Sequence, residues 1–122
     1  MQSELTHIED AIGQYFDGLY EGDAEKLSRV FHPSASLFIE KEGALTIIPV
    51  PEWLKRVAAR EAPAAQQADR ADGILMIDRS GPVNAVAKVT CMLAPNSYTD
   101  YLSLIKFDGR WQIVAKAYCV TG

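Results

Sequence analysis

Residues 98–118, YTDYLSLIKFDGRWQIVAKAY, decide the fold. Asp108-Gly109 separates two alternating runs and is a strong signal for a two-residue type I′ hairpin, whose central residues both need positive φ. Such a turn fixes the register. It pairs Phe107 with Arg110, Lys106 with Trp111, Leu104 with Ile113, Leu102 with Ala115, Asp100 with Ala117 and Tyr98 with Cys119. Residues that face each other across a ladder share a side of the sheet. One side then carries Tyr98, Asp100, Leu102, Leu104, Ile113, Ala115, Ala117 and Cys119, ending at Lys106 and Trp111. The other carries Thr99, Tyr101, Ser103, Ile105, Phe107, Val114, Lys116 and Tyr118. The first side is small and apolar apart from one carboxylate, Asp100, and that combination points to a pocket.

Upstream, residues 84–93 alternate, with Ala85, Ala87, Val89, Cys91 and Leu93 on one side. A four-residue turn over 94–97 sets Leu93 opposite Tyr98 and Cys91 opposite Asp100. Residues 74–78 form a further strand. The first half of the chain is helical in rhythm. Leu5, Ile8, Ile12, Tyr15, Phe16 and Leu19 have helical spacing over 4–20. Gly13 and Gly18 inside that run are expected to admit a close neighbour, since glycine costs about 1 kcal/mol within a helix. Gly22 ends the helix and Asp23 caps the next, over 24–31, which Pro33 stops. Short strands follow at 35–40 and 44–48. Pro51 opens a third helix over 52–60, and 61–67 is a loop. The order α-α-β-β-α-β-β-β-β predicts an α+β fold, a single domain over 1–122 with one curved sheet packed on three helices.

The 122 residues are 48% hydrophobic and 23% charged, a globular balance. A chain of this size buries roughly two-thirds of its unfolded surface, so no metal or disulfide is needed and no cofactor is expected. The net charge of −4, with no Lys/Arg run, leaves no footprint for nucleic acid or an anionic membrane. No apolar run is long enough to span a bilayer. The polar start MQSELTHIED is unlike a secretory signal, so a cytoplasmic location is expected. Cys91 and Cys119 fall on strands separated by one other, about 10 Å apart. That exceeds the ~7 Å limit for a bridge, and both are read as buried free thiols. His7 and His32 are read as solvated.

Small sheet residues beneath Tyr15, Phe16 and Trp53 predict a hollow between the helices and the hairpin. The candidate ligand-binding set is Tyr15, Leu19, Phe31, Ile39, Trp53, Val57, Arg70, Cys91, Tyr98, Asp100, Ala117 and Cys119. The expected ligand is a small hydrophobic or aromatic molecule, held by apolar walls and a few polar groups. Asp100 and Tyr15 are the catalytic candidates. On the opposite side, Phe38, Met92, Tyr101, Ile105, Phe107, Val114 and Tyr118 form too large an apolar patch for solvent. A two-fold homodimer packed sheet to sheet is expected there. Lys116 falls beside Tyr101 on that side, with a salt bridge or subunit contact as its expected role.

The segments YFDGLYEGDAEKL (15–27), VFHPSASL (30–37), PEWLKRVAAR (51–60) and TDYLSLIKFDGRWQIVAK (99–116) resemble the NTF2-like superfamily of cone-shaped proteins. Within it they are most similar to the lumazine-binding, SnoaL-like subgroup, across essentially the whole chain. The superfamily includes ketosteroid isomerase, scytalone dehydratase and polyketide cyclases. The resemblance implies that Tyr15 matches the isomerase's oxyanion-hole tyrosine and that Asp100 matches a polar pocket residue of the dehydratase. Arg70 falls near a dehydratase histidine. Ile39 stands where the isomerase has its general base, and isoleucine cannot carry a proton. Three expectations remain open: a non-enzymatic small-molecule-binding protein, a small isomerase, dehydratase or cyclase using Asp100 as base and Tyr15 to polarise a carbonyl, or a structural or accessory module.

Overall fold

The computed structural model describes residues 3–122. Its elements are α1 (Glu4–Glu21), α2 (Ala24–Val30), β1 (Phe31–Lys41), β2 (Ala44–Pro49), α3 (Val50–Ala59), β3 (Asp72–Ser80), β4 (Asn84–Leu93), β5 (Asn96–Phe107) and β6 (Arg110–Val120). The element order is the expected one. The strands form one sheet in the order β2-β1-β6-β5-β4-β3. All neighbours are antiparallel except β1 and β6, which run parallel. The sheet is therefore mixed and α+β in class.

Local chemistry sets the helix ends. Ser3 Oγ accepts the Thr6 backbone N–H at the start of α1, and Asp23 Oδ1 accepts that of Lys26 at the start of α2. Gly22 closes α1 with φ of 64°, a left-handed conformation suited to glycine. A Cβ on Gly18 would lie 2.7 Å from Leu27, so this glycine lets α2 press against α1. Gly13 has nothing within 4 Å of its Cβ position, and the close approach expected there is absent. Pro33 does not end α2. The chain is already extended at Phe31, and Pro33 lies in β1, where the pairing with β6 is irregular between Phe31 and Ser36.

Asp108 and Gly109 both have positive φ, 55° and 78°, as the type I′ turn requires. Pairing follows the expected register from Phe107–Arg110 through Leu104–Ile113. There it slips. Ser103 faces Ala115, leaving Val114 as one extra residue in β6, a β-bulge. Beyond it Leu102 faces Lys116, Asp100 faces Tyr118 and Thr99 faces Cys119. One inserted residue exchanges the two sides of a strand. The expected pairs Leu102–Ala115, Asp100–Ala117 and Tyr98–Cys119 are thus replaced. Lys116 and Tyr118 turn toward the helices, while Ala117 and Cys119 turn to the outside and are exposed. Cys119 is accordingly an exposed free thiol and Cys91 a buried one.

The β4–β5 turn contains only Ala94 and Pro95, so Cys91 faces Tyr98 and Val89 faces Asp100. This register differs from the expected one by two residues, which preserves the side of every side chain. Cys91 and Asp100 remain inward.

The three helices cover the concave side. Ile8, Ile12, Leu27, Leu37, Val50, Val57, Leu102, Leu104 and Ile113 are buried in one continuous core. Glu4 ties α1 to the hairpin: its two oxygens accept hydrogen bonds from Lys106 Nζ and Trp111 Nε1, each at 2.8 Å. Among the described residues no helix is long and apolar enough to cross a membrane.

Candidate functional site

Tyr15 projects from the middle of α1 on the buried stripe set by Ile8, Ile12 and Leu19. Asp100 projects inward from β5. Both have no exposed surface, and the Tyr15 hydroxyl donates a 2.6 Å hydrogen bond to Asp100 Oδ2. The Cys91 thiol donates a longer one, 3.7 Å, to the same oxygen. Asp100 Oδ1 is buried with no hydrogen-bond partner. Burial, reinforced by the Asp100 charge, raises the Tyr15 hydroxyl well above its usual range. The same two causes push the Cys91 thiol up to about 12. Both groups are held protonated, as donors to a carboxylate should be.

The cation in this interior is Lys116. It is 6% exposed and sits one row from Asp100 on the inner side. Its Nζ lies 5.2 Å from the ring centre of Tyr15, 5.0 Å from Trp53 and 4.9 Å from Tyr118. Three aromatic faces around one ammonium form a cation–π cage. Burial lowers the Lys116 pKa, Asp100 and Cys91 oppose that, and Arg60 adds to the lowering. An ammonium taken out of water costs several kcal/mol unless it is closely paired.

A cavity of about 80 Å³ opens beside the cage. Leu19, Leu37, Trp53 and Arg60 line it from the helices and β1, and Cys91, Leu93, Tyr98, Lys116 and Tyr118 from the sheet. That is room for about two or three waters of liquid volume. Arg60, Leu93 and Tyr98 also border an outer groove of about 220 Å³, whose walls include Glu61, Pro63, Gln66 and Pro95. Arg60 ends α3 and is exposed. Among the described residues it makes no ion pair. Tyr118 is raised above the usual phenol range by burial, then by Tyr98 and Asp100.

The hollow therefore does not lie under α1, where Tyr15 and Asp100 pack solidly. It lies at the open end, between α3 and strands β4 to β6. Of the expected set, Leu19, Trp53, Cys91 and Tyr98 line the cavity, and Tyr15 and Asp100 are buried behind Lys116 and Cys91 and do not line it. Phe31 packs edge-on against Tyr15 and Trp53 with ring centres 5.8 and 5.2 Å apart. Ile39 and Val57 are core residues. Arg70 is elsewhere, on the surface of α1, bonded to Asp17 at 2.6 Å and Asp72 at 2.8 Å. Ala117 and Cys119 are on the far side of the sheet. Lys116, Tyr118, Arg60, Leu37 and Leu93 join the lining, and the bulge accounts for the first two. Among the described residues no cluster of three or more His, Cys, Asp or Glu side chains is arranged to hold a metal.

Similar proteins share this architecture. An NTF2-like protein of unknown function from Shewanella baltica superposes with a TM-score of 0.86, at 20% identity, over 100% of this chain and 99% of that one. One from Silicibacter pomeroyi gives 0.83 at 23% identity, over 96% and 95%. A ketosteroid isomerase-like protein from Erwinia carotovora atroseptica gives 0.76 at 15% identity, over 100% and 99%. Among curated proteins, the aldolase FrzH of a Cladobotryum species is 23% identical over 109 residues, which is 85% of this chain and 81% of that protein. The model of the family described as "Putative lumazine-binding" matches residues 3–119. The chain has the NTF2-like fold and belongs to that family.

Proposed function

We propose that the protein binds a small, partly aromatic organic anion at the open end of the cone. The observation that carries this is the caged Lys116 ammonium at the edge of a cavity that Arg60 also lines. The fold holds a costly buried cation whose nearest opposite charge, Asp100, is already engaged by Tyr15 and Cys91. A ligand anion between Lys116 and Arg60 supplies the missing counter-charge. Trp53, Tyr98 and Tyr118 supply flat walls for an aromatic body. Inner cavity and outer groove together approach the lower end of ordinary ligand pockets, about 300 Å³. The family's description fits a small-molecule ligand.

The test is an NMR titration with benzoate and, separately, benzyl alcohol. Shifts at the Trp53 indole and at Lys116 with benzoate, and much weaker ones with the neutral alcohol, are expected. Equal responses to both, or shifts confined to other surfaces, contradict the proposal.

A second function, enzymatic, is favoured by the Tyr15–Asp100 pair. Asp100 Oδ1 has no hydrogen-bond partner while Oδ2 accepts the Tyr15 hydroxyl, and one relative is named an aldolase. In that case Asp100→Asn abolishes turnover of a carbonyl substrate while leaving benzoate binding intact.

We further propose a homodimer through the convex side, in the cytoplasm, where free thiols persist. Ile47, Met76, Tyr101, Ile105 and Phe107 are 54%, 44%, 47%, 37% and 57% exposed. They lie on the side away from the helices, where a two-fold contact would cover them. Sedimentation at micromolar concentration should give a dimer; a monomer there removes this part of the proposal.

A further inference from the structure

We propose that Lys116 is a nucleophile that condenses with the carbonyl group of a small oxo acid whose carboxylate rests on Arg60. This rests on the anion site at the open end and names the ligand class for it. The geometry supplies each element. Lys116 reaches the cavity from the sheet, and Arg60 reaches it from the end of α3. A molecule bridging them carries a carbonyl at one end and a carboxylate at the other. The inner cavity, about 80 Å³, limits the buried end to a few heavy atoms. The outer groove, which Arg60 also borders, leaves room for a longer chain.

The surroundings suit an amine nucleophile. Aromatic rings desolvate Nζ, and burial lowers its pKa, so the neutral amine is populated nearer neutral pH than on a surface lysine. The charge also balances. The ammonium first loses a proton to solvent at the cavity mouth. The freed lone pair adds to the carbonyl carbon as the C=O π pair moves to oxygen. That oxygen takes one proton from the nitrogen and one from solvent and leaves as water, giving a protonated imine. Ammonium and protonated imine each carry one positive charge. The rings and Asp100, which accommodate the first, accommodate the second at the same place. The groups around Nζ are Tyr15 on α1, Trp53 on α3, Arg60 just past its end, Cys91 on β4, Asp100 on β5 and Tyr118 on β6, with Tyr98 across the cavity.

The experiment uses the whole protein with pyruvate and sodium cyanoborohydride at neutral pH, then digestion and mass spectrometry. The expected result is a reduced adduct on Lys116 exceeding that on any other lysine by about tenfold or more. Arg60→Gln should raise the pyruvate concentration needed for half-labelling by about tenfold, the loss of one charged hydrogen bond. Propionate, which has the carboxylate and no carbonyl, separates the two claims. If propionate shifts the Lys116 resonance and pyruvate leaves no adduct there, the imine is wrong and the anion site stands. If neither acts at Lys116, both are wrong. Adducts spread evenly over the surface lysines also overturn the inference.

Discussion

Lys116 is a neighbour of Asp100 on the inner side of the sheet only because Val114, two residues earlier, has no partner across the ladder. In a regular hairpin Lys116 would face outward beside Tyr101, and Ala115 and Ala117 would line the interior. The bulge replaces two small residues with a lysine and a tyrosine. It fills the space beneath α1 and moves the remaining cavity to the open end. Bulges next to functional sites re-aim side chains in this manner.

The buried ammonium has a measurable role. Lys116→Met keeps the shape and removes the charge, and it leaves the fully buried Asp100 carboxylate without its cation. The variant should be less stable than the parent by about 3–5 kcal/mol, the usual result of removing one partner of a buried pair. It should also lose benzoate binding. Urea unfolding and the NMR titration check the two halves. A variant of unchanged stability that still binds contradicts the role given to this lysine.

The Tyr15–Asp100 bond is structural in the resting protein. Tyr15→Phe leaves Asp100 Oδ2 with only the Cys91 thiol, and Oδ1 already lacks a partner. A cost of about 1–3 kcal/mol is expected in urea unfolding, the usual penalty for stranding a buried acceptor. A neutral effect would show that solvent reaches this carboxylate.

Much of this was legible in the sequence, and what was not has a physical cause. Asp108-Gly109 specifies its turn chemically, so the hairpin and its first four rungs could be read directly. The apolar spacing of Ile8, Ile12, Tyr15 and Leu19 gave α1 for the same reason. The bulge at Val114 has no such mark: valine is an ordinary strand residue, and neither glycine nor proline flags the slip. The inward lysine was therefore hidden, although every residue of the strand was in view. Arg60 was hidden differently, because its position depends on how α3 packs over β1.

The cysteines report the same slip chemically. Native protein treated with iodoacetamide near pH 8 should be modified at Cys119 and spared at Cys91. Alkaline pH extends the test. The unfolded Cys91 thiol ionises near the ordinary 9.0, and the folded one holds its proton to about 12. Between these values the unfolded chain binds fewer protons. The Cys91 contribution is therefore intact below pH 9 and is lost as pH rises toward 12. Lys116 acts in the opposite sense below its ordinary 10.5, so the comparison belongs in Lys116→Met. In that background Cys91→Ala should flatten the fall in stability above pH 9. An unchanged slope contradicts the assignment.

The two glycines of α1 should part company. Gly13→Ala meets no neighbour and should gain about 1 kcal/mol from helix propensity. Gly18→Ala drives a methyl to within 2.7 Å of Leu27 and should cost about 1–3 kcal/mol through overpacking. Thermal unfolding of the pair decides this, and equal effects would mean that α1 and α2 are not packed through Gly18.

The most direct measurement is the titration of each lysine by NMR, followed at the Cε and Nζ signals. If Lys116 occupies the aromatic cage, its midpoint lies clearly below the ordinary lysine value of 10.5, and its signals carry ring-current shifts. A Lys116 that titrates together with the surface lysines, without such shifts, would place it outside the cone and remove the site.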